Sequence, residues 1–173
     1  MFTVPKKTAD GLYYVKTLDQ KVIQLNNVRL VSVSQDSVTL SLGEESQGIV
    51  SSVDNTNLDE AKANSELWFQ RVVADKTIEA AYMKSFSDGV MNVTKPAYYK
   101  VYRGREVVDE APVDGTVCDV MLEFTGISFT KKTFSPVWRI VQSRLKAVPK
   151  KKYHEECLFQ DEDPVEVSDE DLF

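Results

Sequence analysis

The sequence predicts a mainly β chain: a small, partly open β-barrel of the OB type with one inserted helical segment and a disordered acidic C-terminal tail. Three observations lead there. Apolar residues alternate with period two in the first fifty residues and again from Tyr98 onward. Between those regions the spacing turns helical. Charge, finally, is segregated toward the C-terminus. A chain of 173 residues, 42% hydrophobic and 28% charged, has the composition of a globular protein with one core. Residues 1–153 are expected to form the barrel domain and residues 154–173 the tail.

The first strands are expected around Leu12, Tyr14 and Val22-Ile23-Gln24-Leu25, then at Val28–Val33 and Val38–Leu42. The last two flank the turn Ser34-Gln35-Asp36-Ser37 and alternate apolar with polar, as in an antiparallel meander with one wet face. Gly43 to Asn57 reads as a loop, with a short strand at Gly48-Ile49-Val50. Asp54 or Asn57 is placed to cap a helix from Leu58, and Asp75 to cap a second turn carrying Ile78, Ala81, Tyr82 and Phe86. One broken helix or two short ones are therefore expected over 58–87, ending at Ser87-Asp88-Gly89. Strands return at Tyr98–Arg103, which meets a turn at Gly104, at Val117–Phe129, and at Thr133–Leu145. Gly126 marks a bulge or bend in the long strand, and Lys131-Lys132 a hairpin tip. A β-sandwich with a helical insertion fits the same pattern, which does not decide between the two.

The net charge of −6 averages two unlike parts. Residues 154–173 carry nine acids and no Lys or Arg, leaving 18 of the 27 acids against all 21 bases in residues 1–153, a net of +3. From Phe124 to Tyr153 there are eight bases, Arg144 among them, and no acid. No stretch approaches the roughly 20 apolar residues of a membrane span, and Met1–Lys7 lacks the apolar region of a secretory signal. An intracellular protein is expected. Cys118 lies in an apolar run and reads as a buried small hydrophobe. Two cysteines and one histidine, His154, are too few for a zinc site. Neither a GxxxxGK[ST] loop, nor a GxGxxG turn, nor a GxSxG elbow is present, so no enzyme, cofactor or metal is expected.

Binding an unpaired nucleic-acid strand requires cations along the phosphates and flat rings for the bases. The chain supplies both in two places. The first is Tyr98-Tyr99-Lys100-Val101-Tyr102-Arg103-Gly104-Arg105, where strand alternation would put Tyr98, Lys100 and Tyr102 on one face. The second is Phe129–Phe134 with Lys131 and Lys132, followed by Trp138 and Arg139. The candidate nucleic-acid-binding residues are Tyr98, Lys100, Tyr102, Arg103, Arg105, Lys131, Lys132, Phe134, Trp138 and Arg139. Aromatic residues on strands usually pack a core, and Trp138 would share its face with Ile140. The expectation rests on the coincidence of rings and cations over an acid-free stretch.

The tail ends Pro164-Val165-Glu166-Val167-Ser168-Asp169-Glu170-Asp171-Leu172-Phe173, too polar to pack a core. An apolar Leu172-Phe173 after three acids suits docking into a partner's pocket, and a tethered acidic arm competes for a basic groove at high effective concentration. This tail resembles the C-terminal tails of replicative single-stranded DNA-binding proteins of bacteria and some bacteriophages, with Leu-Phe where Pro-Phe is usual. The resemblance implies an OB fold that holds the strand. It also implies that Asp169, Glu170, Asp171, Leu172 and Phe173 recruit replication proteins such as a polymerase, helicase or primase. Separately, Leu122–Ile127 with Phe134–Gln142 looks like a segment of small proteins from large double-stranded DNA viruses. The leading expectation is non-catalytic, sequence-tolerant binding of single-stranded DNA in replication, recombination or repair, with homo-oligomerisation open. Two other classes remain. A viral structural or scaffold protein would dock its tail on another subunit, with the rings buried. A histone-type chaperone would bind chiefly through the tail.

Overall fold

A computed structural model describes residues 1–146; the tail residues 154–173, with Asp169 to Phe173, lie outside the described residues. The strands are β1 (Lys6–Lys7), β2 (Tyr13–Val33), β3 (Ser37–Ser41), β4 (Phe86–Ser87), β5 (Val90–Thr94), β6 (Lys100–Arg103), β7 (Glu106–Val108), β8 (Val117–Phe129) and β9 (Phe134–Leu145). Three helices, α1 (Glu44–Ala63), α2 (Ser65–Phe69) and α3 (Asp75–Ala81), lie between β3 and β5. The chain is thus mainly β with one helical insertion.

Five strands close on themselves. β2 pairs with β3, β3 with β5, β2 with β8, and β8 with β9, all antiparallel. The circle closes where β5 meets β9 in parallel at Thr94 and Arg139, reinforced by the Thr94 hydroxyl donating to the Trp138 carbonyl at 3.0 Å. A single sheet closed in this Greek-key order is the OB barrel rather than the sandwich. Closure needs bent strands, and the irregularities fall where the sequence permits them. β2 slips register against β8 between Leu25 and Val28, where Asn27 takes φ +55°, a conformation asparagine tolerates. β8 slips against β9 between Phe124 and Gly126. At Gly126 φ is +156°, and a β-carbon there would sit 2.1 Å from the Val15 carbonyl oxygen and under 3 Å from the Tyr14 ring. Only glycine lets Tyr14 lie across the strand at that point.

Period-two parity then fills the barrel. Leu25, Leu40, Met91, Leu122, Trp138 and Ile140 all point inward and are buried. One end is plugged by rings from distant segments. Trp68 of α2 meets Phe2 at 5.2 Å and Phe129 at 5.8 Å between centroids, and Phe134 stacks on Phe129 at 5.6 Å.

The insertion differs from the expected 58–87 helix. Residues 44–57, expected as a loop with a short strand at 48–50, are the front of a 20-residue helix. Its buried face is Ser46, Val50, Val53, Asp54, Asn57 and Ala61. That spacing is helical, but half the stripe is polar, so apolar periodicity alone could not detect it. The strand expected at Tyr98–Arg103 begins only at Lys100, because Tyr98 and Tyr99 occupy a turn in which the Tyr99 amide donates to the Pro96 carbonyl at 3.3 Å.

Candidate nucleic-acid interface

The outward side chains of four adjacent strands fall into cross-strand rows. Gln24 of β2 pairs with Met121 of β8, which pairs with Gln142 of β9, which pairs with Lys100 of β6. One row along, Asp119 pairs with Arg144 and Arg144 with Tyr102. In the other direction Val22 pairs with Glu123 and Glu123 with Arg139. Directly paired residues point to the same face, so this surface carries Lys100, Tyr102, Arg139 and Arg144 together. Gly104, at φ +66°, turns the chain from β6 into β7 and brings Arg105 over the same face. The result is a cleft of about 350 Å³ lined by Gln24, Tyr102, Arg105, Met121, Gln142 and Arg144. Tyr98, 75% exposed, lies near Arg139 on the same surface.

Ion pairs fix the cations that belong to the sheet. Asp119, buried beneath the cleft, accepts from Arg144 at 2.7 and 3.1 Å, from Lys146 at 3.0 Å and from the Asn27 amide at 3.0 Å. Burial alone would raise the Asp119 carboxyl. The Arg144, Asn27 and Lys146 donors outweigh it and hold the carboxyl below its ordinary range. A depressed folded value contributes stability that is present above the unfolded value of about 3.9 and is lost as pH falls through the folded one. Asp119→Asn is therefore expected to lower stability at neutral pH and to flatten part of the acid limb. Urea midpoints between about pH 2 and pH 7 check this; an acid limb identical to that of the parent chain would remove Asp119 from it. Arg139 pairs with Glu123, which chiefly holds it charged, and the Tyr98 and Tyr14 hydroxyls lie close enough to add to the effect. Lys100 and Arg105, by contrast, are in no ion pair among the described residues.

The structure brings together Tyr98, Lys100, Tyr102, Arg105 and Arg139 of the expected residues and separates the rest. Arg103 has the opposite strand parity and spends its guanidinium on Glu110 at 2.6 Å and the Lys146 carbonyl at 2.9 Å. Lys131 and Lys132 form the β8–β9 hairpin tip at the other end of β9, flanking Arg71 beneath the helical insertion. Phe134 and Trp138 are corrected outright as base-stacking residues. They are 1% and 3% exposed, inside the barrel, where Trp138 shares its inward parity with Ile140 and donates through Nε1 to Ser85 Oγ at 2.9 Å. Rings that fill the core cannot stack on a base without unfolding the barrel.

Sequence reasoning missed Tyr14, Gln24, Met121, Gln142 and Arg144 as members of this face. Only Arg144 carried a signal, as one of the bases in the acid-free run. Cys118 is fully buried, and burial, followed by the Asp119 charge, pushes its thiol up to about 11. It is a packing residue. Among the described residues no group of three or more His, Cys, Asp or Glu side chains is placed to hold a metal ion, and no helix there is long and apolar enough to cross a membrane.

Residues 26–161 match the model of a family described as a family of unknown function, DUF5871. Two solved structures are similar in fold. One is the single-stranded DNA-binding protein from bacteriophage Enc34 in complex with single-stranded DNA, at TM-score 0.47 and 14% identity over 83% of this chain and 94% of that one. The other is a C-terminal truncation of the Enc34 protein, at TM-score 0.49 and 17% identity over 83% of this chain and 92% of that one. No curated protein matches the sequence.

Proposed function

The chain belongs to the DUF5871 family, whose function is unknown, and from the chemistry of its outer surface we propose non-catalytic, sequence-tolerant binding of single-stranded DNA. One observation carries this reading: Tyr102 shares an outer face with Lys100, Arg105, Arg139 and Arg144, and the exposed Tyr98 lies near Arg139. That face, rather than the likeness to the Enc34 protein, is the support. Cations on neighbouring strands follow a phosphate backbone, while Tyr102 and the exposed Tyr98 offer rings to unstacked bases. Stacking is worth roughly 1–3 kcal/mol per base and reads little sequence. The outward residues of β3 and β5, among them Thr39 and Asn92, which hydrogen-bond each other at 2.7 Å, supply neither rings nor cations. The strand is therefore assigned to the β2–β8–β9–β6 side. In this reading Lys131 and Lys132 serve a second phosphate contact near Arg71. The acidic tail competes for the basic face, and its end, Asp169 to Phe173, recruits replication proteins once DNA displaces it.

The burial of Phe134 and Trp138 favours a second reading, a structural or scaffold protein whose strand aromatics serve the core. It does not account for Tyr102 sharing the outer face with Lys100 and Arg105, which are in no ion pair among the described residues.

Fluorescence anisotropy with labelled oligo-dT, oligo-U and duplex DNA, at two salt concentrations, tests the proposal on the full chain and on residues 1–160. Affinity for oligo-dT is expected to fall with salt at a log–log slope near −0.7 per phosphate neutralised. Duplex should bind weakly, and removing residues 161–173 should tighten binding most at low salt. Salt-insensitive binding, or none by either protein, would move the assignment to the scaffold reading. Binding unchanged by the truncation would remove the competing role of the tail alone.

A further inference from the structure

The geometry points to the cleft beneath the β6–β7 turn as a receptor for one nucleobase of the bound strand, drawn out of the stack and held edge-on between two amides. This inference rests on the single-strand reading and adds a site at which one base, and not only the backbone, is gripped. The central row supplies the chemistry. Gln24, Met121 and Gln142 occupy three consecutive strands in register, all three lining the cleft. Neighbouring strands lie about 4.8 Å apart, so the backbones that carry Gln24 and Gln142 run about 10 Å apart, on either side of the strand that carries Met121. A thioether floor packs well against a flat ring. The Gln142 amide offers both donors and an acceptor, while the Gln24 amide donates one N–H to Asn26 Oδ1 at 2.9 Å and offers its second N–H and its oxygen, so the pair can meet the edges of different bases. Tyr102 forms a wall, and Arg105, at the turn, sits where the phosphate attached to a captured base would emerge. Arg144 is tied to Asp119 and serves as a fixed wall.

A cleft that served only the backbone would have no use for the apolar floor. The contrast is therefore between oligo-dT and an abasic oligomer of equal length, which keeps every phosphate and lacks the bases. With methyl-¹³C methionine in the full chain, oligo-dT is expected to shift the Met121 methyl resonance through the ring current of the captured base. The abasic oligomer should bind through its charge and leave that resonance in place; Met121→Leu assigns it. The Gln24→Ala/Gln142→Ala variant is expected to weaken oligo-dT roughly 10-fold, within the range for losing one base contact, with abasic binding unchanged. An unmoved Met121 methyl, or an equal shift with both oligomers, while oligo-dT still binds, overturns the cleft and leaves strand binding standing. Failure of both oligomers to bind overturns the reading beneath it.

Discussion

The triple variant Lys100→Glu/Tyr102→Ala/Arg105→Glu is expected to bind oligo-dT at least 100-fold more weakly than the parent chain at low salt. The ring contributes roughly 1–3 kcal/mol if one base stacks on it, and about 1.4 kcal/mol is a factor of ten in affinity. Two charge reversals remove two phosphate contacts and replace them with repulsion, which also makes the salt slope shallower. Lys100 and Arg105 are in no ion pair among the described residues, and exposed substitutions of that kind usually stay within about 0.5 kcal/mol of the parent stability. Tyr102→Phe separates stacking from folding: it keeps the ring and is expected to keep most of the affinity. Anisotropy titrations beside thermal melts check both, and near-parental binding by a folded triple variant would rule out this face. Tryptophan fluorescence is a poor reporter here, since Trp68 and Trp138 are both buried.

This face was partly legible in the sequence because three of its members are neighbours in the chain. Lys100, Tyr102 and Arg105 belong to one strand and its turn, and period two puts the first two on a common side. Period two does not say which side is wet. The same parity that unites Trp138 with Ile140 could not, without the sheet, place them inside, and Phe134 is buried by stacking on Phe129 across a hairpin. Gln24 and Met121 reach the cleft from strands about one hundred residues apart in sequence, a pairing that no local pattern contains. The long strand Val117–Phe129 was legible to its ends because it combines an apolar run, a turn before it and the bend at Gly126. The front of α1 was illegible for the opposite reason, since its buried stripe contains Ser46, Asp54 and Asn57.

Those polar residues lead to the second large effect, an Asp54→Ala loss of about 3 kcal/mol or more, and with it a melting temperature lower by about 6–12 °C for a chain of this size. Asp54 is buried on α1 and accepts from the Tyr82 hydroxyl at 2.6 Å, the Ser85 hydroxyl at 2.6 Å and the Ser85 amide at 3.0 Å. Asn57 donates to the Tyr82 oxygen at 3.2 Å, and Trp138 Nε1 to Ser85 Oγ at 2.9 Å. Burial, and then the Asp54 charge, pushes the Tyr82 hydroxyl far above its ordinary value, so it stays a donor at any working pH. The network joins the helical insertion to the barrel strand β9 through hydrogen bonds, beside the ring contacts of Phe69 and Tyr82 with Phe134. Alanine at position 54 strands three donors at once, the buried Tyr82 hydroxyl and the part-buried hydroxyl and amide of Ser85, each costing about 1–3 kcal/mol where no water replaces the acceptor. Asp54→Asn keeps one acceptor oxygen and is expected to lose less, as is Tyr82→Phe, which removes one donor from Asp54 and leaves the Asn57 amide without its acceptor. Chemical denaturation of the three variants gives the order. If Asp54→Ala is no worse than Tyr82→Phe, the insertion is seated by its apolar residues, Val50, Val53 and Ala61, and the polar stripe that hid the helix from the sequence is incidental to its stability.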